Sequence, residues 1–232
     1  MATVEKRVPK LVAGDYLSRD EFLRRWEAMP AIKRAELIQG VVYMPSPLSR
    51  RHGSTDQDAN TWLGTYKAQT PGCEGMANAT WHMGKRNAPQ PEAALRISPE
   101  FGGQSRNKGK YAAGAPEFLA EVCISTVSYD LHQKLKVYQK AGVQEYLAIL
   151  MQEQEVRWHR LVDGAFQIMP HSADGIYRSH VFPGLWLDAA ALLGGNLARV
   201  LAVLQDGLNS PEHDQFVQRL AAYRDISQRP QS

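Results

Sequence analysis

The segment PEFLAEVCI, residues 116–124, constrains the fold more than any other, because it places one acidic residue in the middle of an apolar run. Side chains of an extended strand alternate between its two faces, so Glu121 would share a face with Leu119 and Cys123. Burying an unpaired charge costs a great deal of free energy. Glu121 is therefore predicted to be exposed, to form a salt bridge or to bind a metal ion.

A second carboxylate, Glu92, follows Pro91 directly and begins another strand-like run, residues 92–97. If this strand pairs with the one around Glu121, the two carboxylates lie close together. They would then repel each other unless they share a proton or a cation, and hard divalent cations prefer such oxygen ligands. The alternative is that Glu92 is a solvated residue at the start of a strand.

Residues 130–141, DLHQKLKVYQKA, are predicted to form a helix that ends at Gly142. Asp130, Lys134 and Tyr138 are spaced four residues apart and would lie on one face of this helix. In structural terms they are an N-cap, a partner in an ion pair and a packing aromatic. In functional terms, Lys134 would lie over the carboxylates and offer a positive charge to a phosphate.

The remaining patterns predict an α/β (α+β) fold in which strands and helices are mixed along the chain. The predicted helices cover residues 18–28, 51–69, 188–207 and 211–225. The predicted strands include a hairpin around Gly40, a run at 76–83 and three runs at 144–151, 154–161 and 165–169. The glycine-rich segment 101–116 is predicted to be a mobile loop.

Composition narrows the functional classes. The chain has 232 residues, of which 44% are hydrophobic, and only two cysteines, which cannot build a disulfide framework. No apolar stretch approaches the length of a membrane-spanning helix, and the N-terminus lacks the apolar core of a secretory signal. We therefore expect a cytoplasmic protein without a membrane partner.

The formal net charge is +3, and basic residues outnumber acidic ones in residues 1–140 but not in 141–232. Arg106, Lys108 and Lys110 lie within the predicted loop and are candidates for contacts with nucleic acid. The alternative is ordinary solvated surface. The sequence offers no recognisable base-reading element.

The segment from Glu121 to Tyr146, EVCISTVSYDLHQKLKVYQKAGVQEY, resembles the core of the Uma-type family of bacterial restriction endonucleases, which belongs to the PD-(D/E)XK nuclease superfamily. Further matching segments occur in the same order along residues 15–193. They are AELIQG with Glu36, SPLSRRH ending at His52, QPE with Glu92, and PGLWLD at residues 183–188. Agreement of several motifs in order is more specific than any single motif.

The resemblance implies a restriction-endonuclease-like core, which is a small, mixed and twisted β-sheet flanked by helices. This nuclease domain would cover residues 15–193, after an N-terminal arm of residues 1–14. A C-terminal helical extension, residues 194–232, lies outside the resemblance. Its apolar face at helical spacing would either pack on the domain or form the contact of a homodimer; it comprises Leu197, Val200, Leu201 and Leu204.

The resemblance also implies an enzyme, a Mg²⁺- or Mn²⁺-dependent endonuclease that cleaves DNA by direct attack of water. Glu92 and Glu121 would hold the metal ion, and Glu36 would support its ligands. Lys134 would act as the catalytic lysine, since Cys123 stands at the usual lysine position. The supporting residues would be His52, Asp130 and Tyr138.

One departure leaves a second function open. The family has aspartate where this chain has Glu92, and the extra methylene would shift a bound metal ion. Misplacement by about an ångström can reduce a rate by roughly a hundredfold. The alternative is therefore a catalytically degenerate protein that binds nucleic acid or regulates another protein on the same scaffold.

Overall fold

The computed structural model describes residues 8–44, 49–123 and 129–227, with residues 129–131 described by their backbone alone. The helices are α1 (Arg19–Glu27), α2 (Arg50–Gln69), α3 (Leu135–Ala141), α4 (Ala189–Leu193), α5 (Leu197–Leu208) and α6 (Pro211–Ser227). A 3₁₀ turn covers Pro99–Phe101, and a π-helical turn, Tyr129–Lys134, leads into α3. The strands before the π-helical turn are β1 (Glu36–Ile38), β2 (Val41–Tyr43), β3 (Cys73–Ala77), β4 (Trp81–His82), β5 (Ala93–Ile97), β6 (Arg106–Lys108), β7 (Tyr111–Ala113) and β8 (Phe118–Cys123). The later strands are β9 (Glu145–Leu150), β10 (Glu155–Val162), β11 (Ala165–Ile168), β12 (Ile176–Arg178) and β13 (Trp186–Asp188).

A mixed six-stranded sheet organises the fold, with strand order β11-β10-β9-β8-β5-β3. The central pair β8 and β9 is parallel, and the other neighbours are antiparallel. A parallel pair needs a crossover, which the π-helical turn and α3 provide on one face of the sheet. This confirms the predicted mixed sheet flanked by helices.

Strand β8 alternates between two hydrophobic cores, as its sequence predicts. Phe118 and Val122 pack in a core shared with α2 and the C-terminal helices. Leu119 and Cys123 pack in a second core with α3 and the small sheet β4-β7-β6. Glu121 lies on the same side of the strand as Leu119 and Cys123, and therefore faces α3.

Local signals in the sequence set several element boundaries. The Ser18 hydroxyl accepts a hydrogen bond from the Glu21 N–H at 3.3 Å and caps α1. The β10–β11 turn places Asp163 and Gly164 at φ of 50° and 79°, the left-handed backbone that a tight hairpin requires. Gly142 ends α3 with φ of 91°.

Two predictions around the second core were wrong in detail. The run at 76–83 is split between β3 and β4, because Asn78 turns the chain with φ of 53°. The predicted loop 101–116 contains the hairpin β6–β7, whose inner strand pairs in parallel with β4 through Ala112 and Trp81. That pairing partner is distant in sequence, so the local glycine-rich composition did not reveal it.

The C-terminal prediction also needs correction. The helix predicted over 188–207 is two helices, because Gly194 and Gly195 interrupt it and Asn196 caps α5. Val200 and Leu204 are fully buried in the core of this chain, and Leu197 and Leu201 pack partly buried against it. The apolar face that pointed to a dimer contact is thus occupied within the chain. The helices of the described segments include none that is both long and apolar enough to cross a membrane.

Candidate active site

Glu121 is held in the second core by two donors from the helical segment that follows β8. The Lys134 ammonium donates to Glu121 Oε1 at 2.9 Å, and the Tyr138 hydroxyl donates to the same oxygen at 2.6 Å. Glu121 and Lys134 are only 3% and 4% exposed. Because the two opposite charges are buried together, each offsets the cost of burying the other.

Lys134 also reaches the β1–β2 hairpin. Its ammonium lies 3.2 Å from Glu36 Oε2, so the lysine bridges carboxylates from two separate elements. The other oxygen of Glu36 accepts the Gln90 N–H at 2.6 Å. The side-chain oxygen of Gln90 accepts the Ala35 N–H at 3.2 Å, which ties the segment before β5 to the start of β1.

Glu92 lies directly before β5. Ala93 pairs with Ala120 in an antiparallel register, so continuing this register by one residue places Glu92 beside Glu121. Glu92 Oε2 accepts the N–H of Val122, the residue after Glu121, at 2.6 Å. Its Oε1 is bonded to His52 Nε2 from the first turn of α2. Glu92 therefore links α2 to the strand that carries Glu121.

The neighbourhood of Glu92 shifts the protonation of two residues on α2. The hydrogen bond with Glu92 raises the pKa of His52 above its usual value, which favours the charged imidazolium. Burial, and next the charge of Glu92, raise the pKa of Asp56 to about 6. The Asp56 carboxylate accepts a hydrogen bond from Asn60 Nδ2 at 2.7 Å.

The structure thus brings most of the predicted site residues into two linked groups. One group contains Glu36, Glu121, Lys134 and Tyr138, and the other contains Glu92 and His52. The Asp130 side chain lies outside the described residues. Arg106 and Lys108 are exposed on β6, and Lys110 in the β6–β7 turn forms an ion pair with Glu27 at 2.9 Å.

Asp56 and Asn60, which were not predicted from the sequence, extend the second group. His52, Asp56 and Asn60 recur at four-residue spacing and share one face of α2. Asn60 Nδ2 also approaches the Glu92 backbone carbonyl at 3.4 Å. That spacing was the available signal, but a polar stripe on a helix is usually solvated surface.

The donor chemistry of Glu92 and Glu121 fits a hard divalent cation. Each oxygen of Glu92 has one hydrogen-bond partner, and a carboxylate oxygen carries two lone pairs. Across residues 8–44, 49–123 and 129–227, no cluster of three or more histidine, cysteine or acidic side chains could hold a metal ion. Magnesium binds through one or two carboxylates and keeps several waters, so a pair of glutamates is compatible with it.

Comparison with known proteins agrees with the fold and the motifs. The family model described as "Uma2: Putative restriction endonuclease" matches residues 19–190. A crystal structure of a "putative nuclease belonging to DUF820" from Anabaena variabilis ATCC 29413 is similar in fold, with a TM-score of 0.53 and 14% identity. The structural match covers 74% of this chain and 98% of the Anabaena chain. No curated protein is significantly similar. Because the family model matches well over half of the sequence, the chain belongs to the Uma2 family of restriction-endonuclease-like proteins.

Proposed function

We propose that this protein is an endonuclease that hydrolyses DNA phosphodiester bonds with a divalent metal ion, Mg²⁺ or Mn²⁺, held by Glu92 and Glu121. The observation that carries the proposal is the bridge of Lys134 between Glu121 and Glu36, beside Glu92. Family membership supports a hydrolase that acts on nucleic acid. The choice of metal and of DNA rests on the resemblance.

Each residue has a chemical role in this proposal. When bound, a hard divalent cation neutralises charge on the phosphodiester and lets water attack near neutral pH. Lys134 provides a compact positive charge for the phosphate oxygens as negative charge develops. Tyr138 fixes the Glu121 carboxylate by donating its hydroxyl proton in a hydrogen bond.

On the other side of the site, His52 and the Val122 N–H orient the two oxygens of Glu92. Glu36 holds Lys134 from the hairpin, so the lysine has a fixed position rather than a choice of rotamers. Fixed positions matter because catalysis depends on the alignment of the reacting groups.

Plasmid cleavage tests the proposal. The wild-type protein should nick or linearise a plasmid with Mg²⁺ or Mn²⁺ and lose this activity in EDTA. Glu121→Gln and Lys134→Met should lose at least about a hundredfold of the rate. The matched control is Glu117→Gln, which alters a buried carboxyl just before β8 that accepts the Ile97 and Gln104 N–H groups. Equal cleavage by all variants would overturn the assignment.

A degenerate nucleic-acid-binding protein is the second candidate. The observation that favours it is that both oxygens of Glu92 already accept or share hydrogen bonds within the chain. Glu92→Asp separates the candidates, because it restores the shorter carboxylate of the family. If only Glu92→Asp cleaves the plasmid, the natural chain is the degenerate form.

Three further expectations remain predictions. Cleavage of DNA in preference to RNA is tested with matched oligonucleotides. Homodimer formation is tested by sedimentation, and the buried face of α5 gives it no support. A cytoplasmic location is compatible with Cys73 and Cys123, which are both buried in the core.

A further inference from the structure

A basic groove lies against the β1–β2 hairpin, which carries Glu36, and against α3, which follows Lys134. It has a volume of about 650 Å³ and is bordered by the β1–β2 turn, the segment after β4, and α3. Four exposed cations line this basic groove: Lys85, Arg86, Lys136 and Lys140. None of the described residues that line it is acidic.

The charges in the basic groove are not balanced by its own lining. Lys136 and Lys140 stand four residues apart on α3, and like charges at that spacing destabilise a helix slightly. Cations gathered in a concave surface attract and concentrate anions. The lining therefore favours an anionic ligand.

His82 gives an independent indication of a polar ligand. It lines the groove and is 7% exposed, and neither of its ring nitrogens has a hydrogen-bond partner among the described residues. Burial, and next the charges of Arg19 and Lys108, lower its pKa, so the ring is neutral near pH 7. A neutral imidazole can still donate one N–H to a phosphate oxygen.

The rim of the groove also offers an aromatic surface. Tyr16 is 61% exposed, and the Arg86 guanidinium lies 4.7 Å from the centroid of its ring. Exposed aromatic rings beside cations are the usual platform on which nucleic-acid bases stack. The rim is well fixed, since the Gly40 N–H donates to the Arg86 carbonyl at 2.8 Å.

The groove and the candidate site share two elements. Helix α3 follows Lys134 directly and turns Lys136 and Lys140 into the groove, while the hairpin that carries Glu36 contributes Gln39. With 3.6 residues per turn, Lys136 and Lys140 point to a different side of the helix from Lys134, and their Cα atoms lie about 3 and 9 Å further along its axis.

We propose that the basic groove is a phosphate-binding subsite that holds the nucleic-acid backbone on the side of α3 next to the candidate site. This inference rests on the proposed function, because it names how the same site would hold its substrate. His82 donates a hydrogen bond to the bound phosphate, and the Tyr16–Arg86 pair stacks against a neighbouring base.

Binding of a labelled 20-nucleotide oligonucleotide in EDTA, measured by fluorescence anisotropy, tests the subsite without cleavage. The double variants Lys136→Ala/Lys140→Ala and Lys85→Ala/Arg86→Ala each remove two cations of the groove. Each should weaken binding about tenfold at 0.1 M salt and lower the salt slope by roughly 1.4 for a single strand or 1.8 for a duplex. Binding that matches the wild type in both variants would refute the subsite.

The matched control is Lys67→Ala/Arg219→Ala, which removes two exposed cations outside the groove lining. Its affinity should change by less than about threefold, since only long-range attraction is lost. An equal loss in the control would show that net charge alone governs binding and would overturn the inference. His82→Phe, which keeps an aromatic ring beside Tyr111, should weaken binding several-fold.

Competition with a mononucleotide shows whether the groove binds the phosphates of a polymer backbone or a free nucleotide. Adenosine monophosphate should displace the oligonucleotide only weakly if the groove holds a polymer backbone. Tight binding of the mononucleotide that the groove variants abolish, with oligonucleotide binding intact, would overturn the backbone assignment. The outcomes also separate this inference from the proposed function. If the groove variants lose oligonucleotide binding and the wild-type protein never cleaves the plasmid, the groove assignment stands and the nuclease proposal is refuted.

Discussion

The Lys134 ammonium lies 2.9 Å from Glu121 Oε1, although the lysine comes from the helical segment after the strand. Position 123, on the same strand face as Glu121, is a buried cysteine that packs in the second core. The π-helical turn that ends at Lys134 thus places the lysine ammonium against the Glu121 carboxylate on one face of the sheet. This contact ties the stability of the α3 crossover to the integrity of the candidate site.

Replacing Lys134 with methionine should reduce stability as well as activity. The variant leaves Glu36 and Glu121 without the buried cation that bridges them. Removing one partner of a buried ion pair typically costs about 3–5 kcal/mol. Urea denaturation should show this loss in the free energy of unfolding at pH 7. A free energy of unfolding equal to that of the wild type would contradict the account.

Tyr138→Phe should retain the fold and lose activity. It removes the hydroxyl that donates to Glu121 at 2.6 Å, and a hydrogen bond to a charged group contributes about 1.5–3 kcal/mol. The control is Tyr66→Phe, which removes a hydroxyl bonded to the Pro183 carbonyl at 2.9 Å. Both variants should lose some stability in urea, but only Tyr138→Phe should slow plasmid cleavage. A comparable slowing by Tyr66→Phe would argue against a positioning role for Tyr138.

Asp56 should make the protein less stable as pH rises from about 4 to 6. Its folded pKa of about 6 exceeds the usual 3.8, so the folded state binds more protons than the unfolded state between these values. The free energy of unfolding falls with rising pH over any range in which the folded state binds more protons than the unfolded state. Asp56→Asn should remove this contribution and gain about 1–2 kcal/mol at pH 7, after allowance for partial solvent screening. Urea midpoints at pH 4, 5, 6 and 7 measure it, and an unchanged profile would refute the assignment.

His52 should titrate above its usual pKa of 6.5 because of its bond to Glu92. The stability from this pairing is fully present below pH 6.5 and is lost as pH rises through the folded pKa. Proton NMR of the imidazole signals measures the titration directly. Glu92→Gln should return the pKa of His52 towards 6.5, while the lowered pKa of the groove residue His82 stays where it was. A His52 titration that does not respond to Glu92→Gln would contradict the pairing.

Local chemistry allowed much of the secondary structure to be predicted. The alternation in β8 follows from the two-residue period of a strand, and both cores respect it. The Ser18 cap and the Asp163-Gly164 turn depend on neighbouring residues alone, so they could be read directly. The prediction failed in residues 101–116, where β7 is stabilised by β4, a partner that is far away in sequence.

The candidate site also combines features set by neighbouring residues with features set by residues distant in sequence. Glu92 and Glu121 stand out in the sequence as charges in apolar strand-like runs, and Lys134 stands out by its four-residue spacing from Asp130 and Tyr138. Their partners follow from the folded chain alone: Glu36 and Tyr138 lie on one side, and the α2 residues His52 and Asp56 lie near Glu92 on the other. The reason is physical. A strand's period depends on adjacent residues, whereas a buried charge must find its counter-charge wherever the fold brings one within hydrogen-bonding distance.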